Sequence, residues 1–190
     1  MKTPPILIVP GWTNAGPQHW LTLWEQAHPE YRRVEQRDWD TPERVEWIAT
    51  LDRAIRASVS PPILVAHSLG CIAIAHWTGE HRKDAAGRVS AALLVAPADV
   101  EAQTAPQEVR DFRPVPLAAL PFPSVLVASR TDRSVSFARA TQFAQAWGSS
   151  LVDAGDAGHL NTAAGYGPWP AGERILMDLV GCVVDTTSSA

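Results

Sequence analysis

The sequence predicts an α/β domain in which a six-stranded, mainly parallel sheet is doubly wound in strand order 2-1-3-4-5-6, with helices on both faces. Three observations carry this. Short, continuously apolar runs alternate with longer segments of helical period, and such runs are typical of strands buried on both faces of a parallel sheet. The chain has 190 residues, 46% of them apolar, enough for one domain with a sizeable core. A strand, a tight serine-bearing turn and a helix follow one another without a break from Pro62 to Trp77. Right-handed crossovers between parallel strands then fix the winding.

Taken in order, the expected strands are Ile6–Val9, a weaker run at Tyr31–Gln36, Ile63–Ala66, Ala91–Val95, Val125–Ala128 and Ser150–Val152. The expected helices lie near Gln18–Ala27, Pro42–Ser58, Leu69–His81, Ser136–Trp147 and Ala171–Val180. In the second helix Val45, Ile48, Leu51, Ala54 and Ile55 recur at three- and four-residue spacing and form one apolar stripe. The domain is expected over residues 1–184. The small, polar tail Asp185–Ala190 is expected to fray.

Net charge is −4. Arg32, Arg33 and Arg37 are interleaved with Glu35 and Asp38, a solvated surface rather than a phosphate-binding stripe. Nucleic acid and an anionic membrane are therefore not the expected partners. The two cysteines, Cys71 and Cys182, give neither a disulfide framework nor a metal-type spacing. Cys71 is expected in the core. The four apolar residues Ile6–Val9 are too few for a signal-peptide core or a membrane span, so a cytoplasmic location is expected.

Chemistry enters with Pro62–Gly70, which reads PILVAHSLG. It matches the nucleophile elbow G-x-S-x-G, with Ala66 in the first glycine place. An elbow pushes the serine oxygen out of a tight turn and aims the positive N-terminus of the next helix at the same spot. Ligands of a doubly wound sheet bind outside the strand C-termini, where the strand order reverses. Here the reversal falls between strands 1 and 3, so the loop Pro10–Gly16 is expected to face Ser68.

A serine nucleophile needs a base, and the base an orienting acid. Of six histidines, His28, His76 and His81 fall on helix faces or ends. His67 precedes Ser68 and is expected to point away from it, and His19 opens the first helix on the rim of the site. His159 sits in a glycine-bearing loop, Ala157-Gly158-His159-Leu160-Asn161, just after the last strand, where a base belongs. Asp132 follows the fifth strand, with Asp99, Asp153 and Asp156 as rivals. The chain order Ser, Asp, His is also met by Asp99; Asp132 lies one strand closer to the histidine loop. The oxyanion donors are expected to be the backbone N–H groups of Leu69 and Trp12, with Gly11 permitting close approach.

Trp12, Trp20, Trp39 and Trp169 fall in or near loops at the strand C-termini, which suits an aromatic-lined site. Trp24 and Trp47 read as packing. Candidate lining residues are Gly11, Thr13, His19, His67, Asn161 and Trp169. The proline-bearing segment Ala96–Phe122 is expected to cover part of the site through Phe112 or Pro114.

The chain resembles the retinoblastoma-binding-protein-9 and YdeN-like small serine hydrolases of the α/β-hydrolase superfamily. The resemblance rests on Pro10-Gly11-Trp12, His19-Trp20, Trp24-Glu25, Asp38-Trp39, Ala66-His67-Ser68-Leu69-Gly70 and Leu120-Pro121-Phe122-Pro123-Ser124. It continues through Ala157-Gly158-His159-Leu160-Asn161 and Gly165-Tyr166-Gly167-Pro168-Trp169-Pro170. It implies a compact hydrolase sheet without a leading antiparallel hairpin or a large lid, and a triad of Ser68, Asp132 and His159. Bacterial relatives often have Asp-Pro-Tyr-Cys after the fifth strand; this chain has Asp132-Arg133-Ser134-Val135, a difference that bears on substrate preference.

The expected activity is hydrolysis of a small carboxylic ester through an acyl-enzyme. It implies a small-molecule substrate and no metal or organic cofactor; no protein partner is indicated. Amide or peptide hydrolysis by the same triad is the alternative chemistry, and an interaction module on a hydrolase scaffold the alternative class. No G-x-G-x-x-G or P-loop follows the first strand, which argues against nucleotide binding.

Overall fold

A computed structural model describes residues 3–188. The strands are β1 (Ile6–Val9), β2 (Arg32–Arg33), β3 (Ile63–His67), β4 (Ala91–Val95), β5 (Ser124–Ala128) and β6 (Ser150–Asp153). They form one sheet in the order β2-β1-β3-β4-β5-β6, every neighbouring pair parallel. The helices are α1 (Trp20–Ala27), α2 (Arg44–Ala57), α3 (Leu69–Glu80), α4 (Ala85–Arg88), α5 (Phe137–Trp147) and α6 (Pro170–Ser188).

Period-two alternation along the strands divides the core into two layers. Ile6, Ile8, Val65 and Leu93 pack with Trp20, Leu21, Trp24, Leu176 and Leu179 of α1 and α6. Leu7, Val9, Leu64 and Leu94 pack with α2, α3 and α5, through Trp47, Leu51, Ile72, Trp77 and Phe143. Leu69 to Thr78 of α3 are all buried, as a helix apolar on every side must be. Buried indole N–H groups find acceptors: Trp20 Nε1 donates to Leu160 O at 2.8 Å, Trp77 Nε1 to Asp52 Oδ1 at 3.0 Å and Trp147 Nε1 to Pro116 O at 2.8 Å.

Helix ends follow the local sequence. The Ser136 hydroxyl accepts the Arg139 N–H at 3.1 Å and caps α5. Gly148, at φ 72°, ends it in the left-handed region, where glycine pays no Cβ penalty. His19 caps α1, its Nδ1 accepting the Leu21 N–H at 3.2 Å.

Several boundaries differ from the sequence expectation. β2 lies at the sheet edge and pairs with β1 through Arg32 and Arg33 only, so the expected run Tyr31–Gln36 is a strand over two residues. In α2, Val45 is 69% exposed and Trp47 takes its place with Ile48, Leu51 and Ile55. Burying the larger Trp47 surface turns Val45 roughly 100° from the stripe, at 3.6 residues per turn. A short α4 and two 3₁₀ segments, Gln107–Phe112 and Thr162–Ala164, add to the expected elements. The last helix runs through Ser188; Ser189 and Ala190, at the end of the tail expected to fray, lie outside the described residues. No helix among the described residues is long and apolar enough to cross a membrane.

Candidate active site

Ser68 joins β3 to α3 without an intervening residue, at φ 56° and ψ −120°. L-residues avoid that region, and its occupation marks a strained turn of the kind stored at functional sites. Two glycines let other backbone reach the turn. A Cβ on Gly70 would stand 2.2 Å from Val9 O, so the start of α3 lies directly on the end of β1. A Cβ on Gly11 would stand 2.8 Å from Ser68 Cβ and 3.1 Å from Leu69 N. The loop after β1 therefore rests on the elbow, as the strand-order argument requires.

His159 arrives from the loop after β6. Ser129 and Thr131, which follow β5, fasten that loop. Their hydroxyls accept the N–H groups of Ala157 at 3.0 Å and Gly158 at 3.1 Å. Gly158 sits at φ 55°, and Leu160 at φ 49°. The outcome is a continuous relay. Ser68 Oγ lies 3.0 Å from His159 Nε2, and His159 Nδ1 lies 2.8 Å from Asp132 Oδ2 and 3.0 Å from Oδ1. The Asp132 side chain is fully buried, while that of His159 is 19% exposed. A carboxylate accepts only, so Nδ1 carries the proton and Nε2 is left to accept from Ser68. Ser134 N–H donates to Asp132 Oδ1 at 2.7 Å and steadies the carboxylate.

Two of the rival acids are engaged elsewhere. Asp99 pairs with Arg139 at 3.5 Å, and Asp153 accepts two bonds from Arg130, at 2.8 and 2.6 Å.

The family model described as serine hydrolase matches residues 6–178. The chain belongs to the serine hydrolase family. Among solved structures, the hydrolase is similar to a protein from Pectobacterium atrosepticum described as a YdeN-like hydrolase. The two are 31% identical, with a TM-score of 0.82, over 94% of this chain and 91% of the other. The ydeN gene product of Bacillus subtilis is 18% identical, with a TM-score of 0.76, over 94% and 100% of the two chains. A carboxylesterase from the same organism is 13% identical, with a TM-score of 0.63, over 95% and 85%. The 31% identical structure places the hydrolase beside YdeN-like proteins, and the other two share its α/β-hydrolase fold. No curated protein matches it in sequence.

The cleft above Ser68 has a volume of about 390 Å³. Thr13, His19, His67 and Asn161 line it, as does Trp12. Another wall comes from the segment after β4, which brings the small apolar Ala98, Val100, Ala102, Ala105 and Val109 together with the polar Asp99 and Thr104. Arg113 holds that wall by donating to Val100 O and Ala102 O, at 2.5 and 3.1 Å.

Four expectations about the cleft are corrected. Trp169 does not line it. Its large apolar ring packs instead on Trp20 and Trp24 in the α1–α6 layer, and Gly172 leaves the room: a Cβ there would stand 2.1 Å from the indole. Phe112 is fully buried against Trp47 and His76. The segment's cleft residues come from 98–109, and Pro114 is not among them. Gly11 acts by its backbone beneath the elbow rather than as lining. His67 does not turn away from the site. Its ring lies 4.8 Å from that of His159, and its Nε2 bonds His159 O at 2.9 Å.

Asn14 also lines the cleft and carries no motif in the sequence; Asp99, a rival acid by chain order, and Arg133, in the loop after β5, line it too. The Asn14 signal is local: at φ 65° it holds a conformation asparagine tolerates better than most residues. Burial pushes the His19 pKa down to about 4, helped by the charges of His159 and Arg33. Burial also drives His67 well below the ordinary value, reinforced by His159 and His19. Both imidazoles are neutral at pH 7.

Proposed function

We propose that the hydrolase cleaves small carboxylic esters by an acyl-enzyme mechanism, with Ser68 as nucleophile, His159 as general base and Asp132 as the orienting acid. The single observation that carries this is the relay from Ser68 Oγ through His159 to the buried Asp132 carboxylate, each contact within 3.0 Å. His159 Nε2 takes the Ser68 proton as Oγ attacks the carbonyl carbon. Asp132 holds the tautomer and stabilises the imidazolium. His159 then gives the proton to the leaving alcohol oxygen as the C–O bond breaks. In the second half, His159 deprotonates a water that attacks the acyl carbon, and Ser68 leaves with the proton.

The oxyanion donors in this reading are the Leu69 and Trp12 N–H groups. Leu69 opens α3, where backbone N–H groups lack intrahelical acceptors. The loop that carries Trp12 is held by Thr13 N–H to Trp39 O at 2.9 Å and Trp12 Nε1 to Asp40 O at 2.9 Å. The small apolar side chains of the segment after β4 favour a compact ester with one apolar half. The neighbouring carboxylesterase shares the fold, which is compatible with that chemistry.

Matched p-nitrophenyl esters and aminoacyl p-nitroanilides test the reading. The expected result is turnover of acetate and butyrate esters with little on the anilides. Preferential cleavage of the anilides would replace the ester assignment with an amidase.

A further inference from the structure

His67 is the last residue of β3 and is bonded covalently to Ser68. Its Nε2 lies 2.9 Å from the backbone oxygen of His159. A carbonyl oxygen only accepts, so Nε2 carries a proton and donates it. The ring is held on several sides. His19 lies edge-on at 4.9 Å between centroids, Trp20 edge-on at 6.0 Å and His159 at 4.8 Å. The peptide around His159 is fastened at three consecutive residues, from three directions. Gly158 N–H binds the Thr131 hydroxyl at 3.1 Å, His159 O binds His67, and Leu160 O binds Trp20 at 2.8 Å.

Of these three ties, only that of His67 belongs to a residue joined to the nucleophile. It closes a small circuit: Ser68 Oγ, His159 side chain, His159 backbone, His67 ring, His67 backbone, Ser68. The 3.0 Å contact between Ser68 and His159 is one link of that circuit. A shift of the His159 loop relative to the elbow must break either this contact or the His67 bond. Reacting geometry is sensitive to displacements of about 1 Å, which can cost on the order of 100-fold in rate.

We propose that His67 is a positioning residue, which ties the base to the nucleophile by donating its Nε2–H to the His159 carbonyl. The inference rests on the assignment of Ser68 and His159 made above.

Two substitutions separate reach from polarity. The His67→Gln amide can place an N–H near the position of Nε2, whereas the His67→Asn amide is too short. Both variants, wild type and Ser68→Ala are treated with a fluorophosphonate across concentrations. Limiting rate and half-saturation are read for each, with a thermal melt beside them. In His67→Asn the limiting rate falls by about 10–100-fold while half-saturation stays near that of wild type, and His67→Gln recovers most of the loss. Labelling of His67→Asn at the wild-type limiting rate overturns the proposal. So does equal loss in both variants, or a change confined to half-saturation, which would make His67 a ligand contact. If wild type itself is not labelled, the nucleophile assignment fails first. Wild type labelled and Ser68→Ala silent keeps that assignment, whatever His67 does.

Discussion

At the C-terminal end of the sheet, five residues other than glycine hold positive φ: Thr13 and Asn14 after β1, Ser68 after β3, Ala96 after β4 and Leu160 after β6. At the N-terminal end, among the described residues, that backbone region is taken by Gly148 in the turn before β6. Glycine occupies it without steric cost, so that turn carries no such strain. The C-terminal turns hold side chains where the backbone resists them. For Ser68 the turn sets Oγ 3.0 Å from His159 Nε2. For Asn14 the strained position sets Oδ1 to accept the Ala15 N–H and an Arg33 N–H, each at 2.7 Å. Regular packing of the sheet body holds the strained end in place.

Helix α3 spans both regimes and offers the strongest way to break the comparison. Its first glycine, Gly70, meets Val9 O and Pro10 O, whereas Gly79 near its far end has open space around the Cβ position. Gly70→Ala is expected to cost about 3 kcal/mol or more, because both opposing atoms are backbone and cannot rotate away. Urea unfolding would show it as a lower midpoint; a midpoint equal to wild type would mean that the two backbones are not in contact.

Acid stability sharpens the same contrast at an intermediate scale. His19 has a folded pKa of about 4 against 6.5 for the ordinary imidazole, mainly through burial. Below pH 6.5 the unfolded chain takes up a proton that the folded site refuses. The associated stability is complete above pH 6.5 and is lost as the pH falls toward 4. The loss approaches about 3 kcal/mol, and His67 adds to it in the same direction. Unfolding midpoints at pH 7 and pH 5 should therefore diverge in wild type and diverge less in His19→Asn, which keeps an acceptor for the helix cap. Equal divergence in the two proteins would contradict the assignment to His19.

The smallest effect is the mirror of the first. Gly79→Ala lies on an exposed stretch of α3 with nothing within 4 Å, and is expected to stabilise by about 0.5–1 kcal/mol. Destabilisation there would show that the two ends of the helix do not differ in the way described.

Strand order was legible because each strand is a short apolar run separated by a helical period, and crossover handedness leaves few windings. Ser68 was legible because the elbow is a local motif, as was His159 because it follows the last strand. Chain order admits both Asp99 and Asp132, and the choice of Asp132 rests on its strand lying next to the histidine loop. The structure brings Asp132 to His159 and pairs Asp99 with Arg139, forty residues further along the chain, a pairing that no local motif announces. Trp169 and Phe112 were misplaced for a related reason. A large ring next to a loop reads equally well as lining or as core, and only the room made by a distant residue such as Gly172 decides. Val45 fits the helical stripe by spacing alone, and loses its place to a bulkier neighbour. The direction of His67 depends on the path of a loop ninety residues away in sequence.

The most direct test of the account is the intact mass of the purified protein after exposure to a fluorophosphonate, with wild type beside Ser68→Ala and His159→Ala. Wild type is expected to gain one adduct and both variants to remain unmodified, because the serine needs the base that lies 3.0 Å from it. A folded wild type that gains no adduct, or an adduct that persists in Ser68→Ala, would contradict the claim that Ser68 is the activated nucleophile.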